Sequence, residues 1–474
     1  MRRLRIALVT SVVAAMALSA PVAAGNPFKG STSTADGYHT YDSDQINIED
    51  VTQTGAGVYV AVLDTGLVPN WSDYFPAARV ATHLGAGFYQ NLTFSQDPTD
   101  PCTFLETSRG PLRQTNWLSA RGSTHGTHVA STVIGYNYDT HFDDLEGYPL
   151  PPIQVRGIAP NATIIPVKVL ADYTLPPAKG CDEPGAGGQQ VFGTSEMVAA
   201  GIDYVTSLVN SGALGGRRVV INMSLGGPEL EPVEQEAMDR ALAAGVIIVA
   251  SAGNDGEAGM GYPGAYAPVI SVGAAGWTEE WLDADGSTPD NGVRYRLWWL
   301  KNVKGTDAVP GTLVPPLQAG SGDVVEGAAV ADETYVADFS SWELAGQELD
   351  VLAPGSWVRG PFPGTPGYNH LPWWSQGWGD ARGLNAGNYY YVGGTSMASP
   401  HVASVAALML EANSALDQAD IEGALKGTAV DIPAGDAQVW DFTIPTPGFV
   451  TVTWPENATG EGLVQADLAI AAVD

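Results

Sequence analysis

Five runs of the chain are almost continuously apolar and rich in β-branched residues: 58–63, 163–170, 218–225, 246–251 and 269–273. Strands buried on both faces of a sheet read this way, because neither side meets water. Between them, apolar positions recur with helical spacing at about 195–210 and 231–244. A further helix is expected from His125 to about Gly135. Behind Gly393-Gly394, the run Val402–Leu410 is apolar all round, which predicts a buried helix over 396–411. Alternation of strand and helix predicts a three-layer α/β/α sandwich around a mostly parallel, doubly wound sheet. Ligands and catalytic groups gather at the carboxyl edge of such sheets. The first run ends there on an acid, Asp64.

The connecting stretches carry less pattern. Residues 80–124 read as a long irregular segment. Residues 25–45 are rich in Gly, Ser, Thr and Asp and are expected to be loosely ordered. At the start, Arg2, Arg3 and Arg5 precede an apolar stretch, Ile6–Ala20, and small residues at Val22-Ala23-Ala24. That is the pattern of a secretory signal, too short an apolar span for a membrane anchor. A secreted, extracellular protein is expected, with no later segment long and apolar enough to span a bilayer.

Charge narrows the partners. The chain has 21 basic and 52 acidic residues, a net −31. Residues 1–24 hold three Arg and no acid, so the remainder carries 18 basic against 52 acidic residues, or −34. Such a field repels nucleic acid and anionic membranes. Cys102 and Cys181 are the two cysteines, and an exported chain permits a disulfide between them; two free thiols are the alternative.

Three short strings carry candidate chemistry. In Gly393-Gly394-Thr395-Ser396-Met397-Ala398-Ser399-Pro400-His401, the glycines permit a tight turn and Ser396 falls at a helix N-terminus, where unpaired N–H groups favour negative charge. Alone, Ser396 could be a helix cap. In Ser123-Thr124-His125-Gly126-Thr127-His128, His125 and His128 share a helix face, a spacing that zinc sites also use, although no Glu lies between them. Asp64, in Val60-Ala61-Val62-Leu63-Asp64-Thr65-Gly66, could be a turn residue. Together the three strings resemble the subtilisin-like serine proteases (subtilases, peptidase family S8), with chain order Asp, His, Ser. The similarity runs from about Ile46 to Ile470.

The resemblance implies a serine endopeptidase with Asp64, His125 and Ser396 as a catalytic triad and no cofactor required for chemistry. His128 would be structural. Ser251-Ala252-Gly253-Asn254-Asp255-Gly256 follows a buried strand and is similar to the family segment whose Asn donates to the oxyanion, so Asn254 takes that role. Ser224, Leu225 and Gly226 resemble the strand that pairs with an extended substrate. Gly261 in Gly261-Tyr262-Pro263-Gly264 looks like the floor of the primary specificity pocket, open enough for a sizeable apolar side chain. Asp73 matches the acidic ligand of a family structural calcium site, with Asn137 and Asp139 as candidate partners; an exposed, solvated Asp is the other reading.

Against the family pattern, residues 277–336 and 361–390 look like inserts in one peptidase domain, 46–474. Their tryptophans (Trp277, Trp281, Trp298, Trp299, Trp373, Trp374, Trp378) either pack the inserts down or form an extended substrate or sugar surface. No separate folding propeptide fits in the residues between Ala24 and Asp64. A monomer acting on polypeptides is expected. An exo- or tripeptidyl-type enzyme, and a non-catalytic binding protein on a protease fold, are the rival readings.

Overall fold

The computed structural model describes residues 28–119, 124–138, 153–181, 187–280, 300–301, 327–363, 389–441, 446 and 448–474. The signal-like stretch 1–24, Asp139 and the tryptophans at 281, 298, 299, 373, 374 and 378 lie outside the described residues.

The apolar runs form the centre of a nine-stranded sheet. In chain order its strands are β1 (Tyr59–Asp64), β2 (Ala86–Tyr89), β3 (Arg113–Thr115), β4 (Thr163–Lys168), β5 (Val219–Met223), β6 (Ile247–Ser251), β7 (Ile270–Trp277), β8 (Thr334–Val336) and β9 (Val351–Pro354). Across the sheet the order is β8-β7-β6-β5-β1-β4-β2-β3, with β9 also paired to β7. All pairings are parallel except those of β3 and β8, short antiparallel strands at the two ends. β1 lies between β5 and β4, where the winding reverses, so the crevice at the carboxyl edge opens beside Asp64.

Alternation along each strand sorts side chains into two cores. Val60 and Val62 of β1 pack with α2 (His125–Ile134) and α5 (Thr395–Ala412). Tyr59, Ala61 and Leu63 face the other way, against α3 (Ser195–Asn210) and α4 (Pro232–Ala243). α5 has no polar stripe because sheet and helices cover it all round: Val402 to Leu410 is buried without a break. The expected sandwich is therefore present, with β7 running four residues beyond the predicted 269–273. Trp277, its last residue, is buried and stacks on Tyr41 at 5.9 Å between ring centres. This one insert tryptophan within the described residues packs the core.

Two expectations are corrected. Residues 80–124 are not an irregular segment: β2 and β3 belong to the main sheet, and Leu92–Gln96 pairs with Phe104–Arg109 as a hairpin. Leu92 and Phe94 turn inward onto the core while Thr93 and Ser95 face solvent, an alternation too short to read as a strand from the sequence. A second hairpin, Ala171–Leu175 with Gly188–Phe192, lies nearby. Cys102 and Cys181 form a disulfide that closes a 79-residue separation between the two hairpins, with Cα atoms 5.0 Å apart.

Nor is the end of the 25–45 segment loose. Thr34 and Tyr41 to Gln45 are buried, although four of those six are polar or charged besides Thr34. Several of them are satisfied by distant partners. Thr34 Oγ1 donates to the Ile134 carbonyl at 2.7 Å. Gln45 Nε2 donates to the Gly276 carbonyl and to Thr334 Oγ1. Asp42 Oδ2 meets His401 Nε2 at 3.0 Å. The segment, which ends in the short helix α1 (Tyr41–Gln45), is a strap across β7 and α5.

Candidate active site

β1 delivers Asp64 to the carboxyl edge fully buried. The Thr65 N–H donates to its Oδ1 at 2.6 Å. His125, the first residue of α2, places Nδ1 2.8 Å from Asp64 Oδ2 and 3.0 Å from Oδ1. Gly126 is what allows this approach: a Cβ there would lie 2.6 Å from the Gly66 carbonyl oxygen and 3.1 Å from Asp64 Oδ1. Thr65 Oγ1 accepts from the Gly126 N–H at 2.9 Å and fixes the helix start against the strand end.

The His125 side chain remains 29% exposed and faces the cleft. Partial burial pulls its pKa down, but the charge and hydrogen bond of Asp64 outweigh burial and hold it above the ordinary 6.5. Three residues on, His128 is fully buried. Burial first, and then the nearby His125, push it down to about 3, so it is neutral and its Nε2–H donates to the Val358 carbonyl at 3.1 Å. Among the described residues neither histidine belongs to a group able to hold a metal ion. The zinc reading of the pair has no support.

Ser396 is the second residue of α5, and its Oγ–H donates to the Ser224 carbonyl at 3.3 Å. No hydrogen bond joins it to His125 among the described residues. Such bonds are often absent without substrate and form on binding. Asn254, exposed just past β6, accepts at Oδ1 from the Thr395 N–H (2.9 Å) and from Thr395 Oγ1 (3.0 Å). Its oxygen is thus held, and its Nδ2 is the atom turned towards Gly394, 3.7 Å from where a Cβ of that residue would lie. Asp64, His125, Asn254 and Ser396, more than three hundred residues apart in sequence at their extremes, therefore meet along one edge of the sheet.

A family model of the subtilase family matches residues 55–460 of this sequence. The chain belongs to the subtilase family. It is 27% identical over 382 residues to subtilisin DY of Bacillus licheniformis, an alignment covering 80% of this chain and 85% of that protein. It is 28% identical over 380 residues to subtilisin E of Bacillus subtilis (strain 168), covering 79% of this chain and 61% of that protein. Among solved structures it is similar to the S41 psychrophilic protease, with a TM-score of 0.48, 23% identity, and coverage of 91% of this chain and 99% of that one. Family membership and these subtilisin relatives support a serine protease.

The edge expected to pair with substrate follows β5. Gly226 is exposed, and among the described residues its backbone N–H and C=O make no hydrogen bond. Gly227 and Tyr262 exchange two 2.8 Å backbone bonds, which seats Gly261 so close that a Cβ on it would lie 3.2 Å from the Gly227 oxygen. Leu225 is half-buried beside them.

One function of Ser224 was not expected. Pro400 sits inside α5 and has no N–H to give the Ser396 carbonyl four residues earlier. Ser224 Oγ–H donates to that freed carbonyl at 2.7 Å. Asn222 Nδ2 in turn donates to Ser224 Oγ at 3.0 Å, and Ser399 Oγ–H to Asn222 Oδ1 at 2.7 Å. β5 is thereby lashed to the first turn of α5, and the lash positions the nucleophile candidate. Pro400 was the signal in the sequence, since a proline four residues after a serine leaves that serine's carbonyl seeking a donor.

Of the expected calcium ligands, Asp73 and Asn137 lie within the described residues and Asp139 outside them. Asp73 is exposed, and its carboxylate accepts from Asn70 Nδ2 at 3.1 Å. Asn137 Nδ2 donates to the backbone carbonyl of Asp73, and its Oδ1 accepts from Gln154 Nε2. Where three acids converge, at Glu348, Asp350 and Glu422, Lys426 Nζ lies 2.6 Å from Glu348 and 2.9 Å from Asp350 and supplies the positive charge.

Proposed function

We propose that this subtilase is a secreted serine endopeptidase in which Ser396 is the nucleophile, His125 the general base and acid, and Asp64 the group that orients and stabilises the imidazolium. The observation that carries the reading is the Asp64–His125 pair at 2.8 Å with the opposite ring nitrogen open to the cleft. Nδ1 carries the proton because it faces a carboxylate, which leaves Nε2 basic. On substrate binding the Ser396 hydroxyl leaves the Ser224 carbonyl and gives its proton to Nε2 as Oγ attacks the peptide carbonyl. The same proton then goes to the leaving amine. Water repeats the sequence on the acyl-enzyme; these are the established steps for an Asp–His–Ser triad.

The tetrahedral oxyanion would be held by Asn254 Nδ2 and the Ser396 N–H, the latter unpaired at the helix start. No metal enters any step. Cleavage inside a chain, rather than at an end, is supported by the unpaired edge at Gly226 and by a 430 Å³ cavity that continues the groove past it. Export would follow from the signal-like residues 1–24; among the described residues no helix is long and apolar enough to cross a membrane.

The direct test is a fluorophosphonate probe with an internally quenched peptide as substrate. Labelling at Ser396, lost in His125→Ala, and cleavage lost in Ser396→Ala are the expected results. Undiminished cleavage by Ser396→Ala would end the assignment.

A further inference from the structure

Beside the edge at Gly226 lies the 430 Å³ cavity, and its lining is chemically divided. Leu170, Phe192 and Leu225 form apolar walls, while Glu229, Glu231 and Glu234 contribute carboxylates. Among the described residues none of these three acids pairs with a Lys, Arg or His. A helix start accounts for part of the acidity, since Glu231 caps α4 and Glu234 stands in its first turn. It does not account for Glu229, which lies before the helix, nor for the burial of Glu234, only 8% exposed. Burial, and after it the charges of Glu231 and Glu196 against a lowering hydrogen bond from Ser195, hold the Glu234 carboxyl up at about 7. A carboxyl so placed gains from a cation beside it. An apolar wall ending in carboxylates suits a long basic side chain, whose methylenes pack on the wall while the head stays with the acids.

Resting on the endopeptidase reading above, we propose that this cavity is a subsite for an Arg or Lys side chain of the substrate, upstream of the scissile bond. A strand paired along Ser224–Gly226 advances about 3.3 Å per residue, so a residue two to five positions before the scissile bond reaches the cavity. The primary pocket floored by Gly261 takes the residue next to the bond. The enzyme therefore reads a basic side chain at a distance from the cut, with Glu229, Glu231 and Glu234 as the specificity-determining residues.

The experiment uses a set of internally quenched peptides that differ at one position, with Leu, Arg or Glu placed two, three, four or five residues before the scissile bond. At one of these positions Arg should exceed Leu in kcat/KM by about tenfold or more, the scale of a charge-assisted hydrogen bond, with Glu the poorest. Glu234→Gln and Glu229→Gln should each lower the Arg-to-Leu ratio at that position and at no other. Glu229 is exposed, so its variant reads the effect even where Glu234→Gln impairs folding. Cleavage that depends on Ser396 but shows no Arg advantage at any position overturns this inference and leaves the proposed function standing. An Arg advantage undiminished in both variants overturns it too, because the cation is then read elsewhere. If no peptide is cleaved by a Ser396-dependent route, the endopeptidase reading falls, and the subsite with it.

Discussion

Two aspartate–histidine pairs lie on neighbouring helices of this protein, and they do different work. Asp64 and His125 meet at the start of α2, with the imidazole partly exposed. Asp42 and His401 meet inside the molecule, where His401 Nε2 lies 3.0 Å from Asp42 Oδ2 and Nδ1 lies 2.8 Å from the Met397 carbonyl. His401 is fully buried and both of its ring nitrogens face acceptors. Neither nitrogen is open to a substrate. The difference shows what makes such a pair suited to catalysis: an open second nitrogen, rather than the carboxylate. The inner pair instead fastens the strap at residues 41–45 to the helix that bears Ser396.

The widest separation between the two regions should appear when each is broken. Ser396→Ala removes one hydroxyl with a single long hydrogen bond, so stability should hold while kcat falls by about 10⁶-fold, the scale known for triad deletions in this family. Asp42→Ala should do the reverse. It leaves His401 Nε2 buried without its hydrogen-bond partner and is expected to cost about 1–3 kcal/mol of unfolding free energy. Denaturant melts and active-site titration of the folded fraction read the two effects apart. Loss of turnover per folded Asp42→Ala molecule, with unchanged stability, would give the inner pair a part in the chemistry.

A smaller effect belongs to Asn254. Its Oδ1 is committed to Thr395, and only Nδ2 can serve the oxyanion. Asn254→Leu should lower kcat by about 10²–10³ with KM little changed, a magnitude taken from donors of this kind. Asn254→Asp keeps the acceptor for Thr395 but has no donor. A comparable loss in both variants assigns the effect to the donor. A loss confined to Asn254→Leu would place it in the anchoring of Thr395.

The outer region was legible in the sequence and the inner one was not, for a physical reason. β1, β4, β5 and β6 are buried on both faces, and continuous apolar runs report that directly. The helix over 195–210 came out to the residue, because its apolar face repeats cleanly between polar positions. Asp64, His125 and Ser396 stood in short strings whose resemblance to a family does not depend on hydropathy. By contrast Asp42, Ser43, Asp44 and Gln45 read as a solvated stretch, because polarity predicts exposure unless partners are known. Their partners, such as His401, Gly276 and Thr334, lie hundreds of residues away. The hairpin 92–109 failed for a different reason: its inward face is only Leu92 and Phe94, against Tyr173 and Phe192, too short a pattern to mark a strand.

The finest test of the comparison is pH. With neutral His125 as the proposed base, kcat/KM should fall as pH drops through its free-enzyme pKa, which lies above 6.5. Stability runs the other way for the same pair. A pKa raised above the unfolded value means that the charged pair stabilises fully below about 6.5 and that this contribution fades as pH rises through the folded value. Asp64→Asn removes both influences that raise the pKa and leaves burial, which lowers it. The residual activity of that variant, about 10⁴-fold lower, should therefore show its acid inflection below 6.5 rather than above. Asp42→Ala should leave the inflection where it is, since His401 has no open nitrogen in the cleft. The measurement is kcat/KM against pH for the parent and both variants. An inflection that stays put in Asp64→Asn would detach it from His125, and one that moves in Asp42→Ala would join the two pairs in one titration.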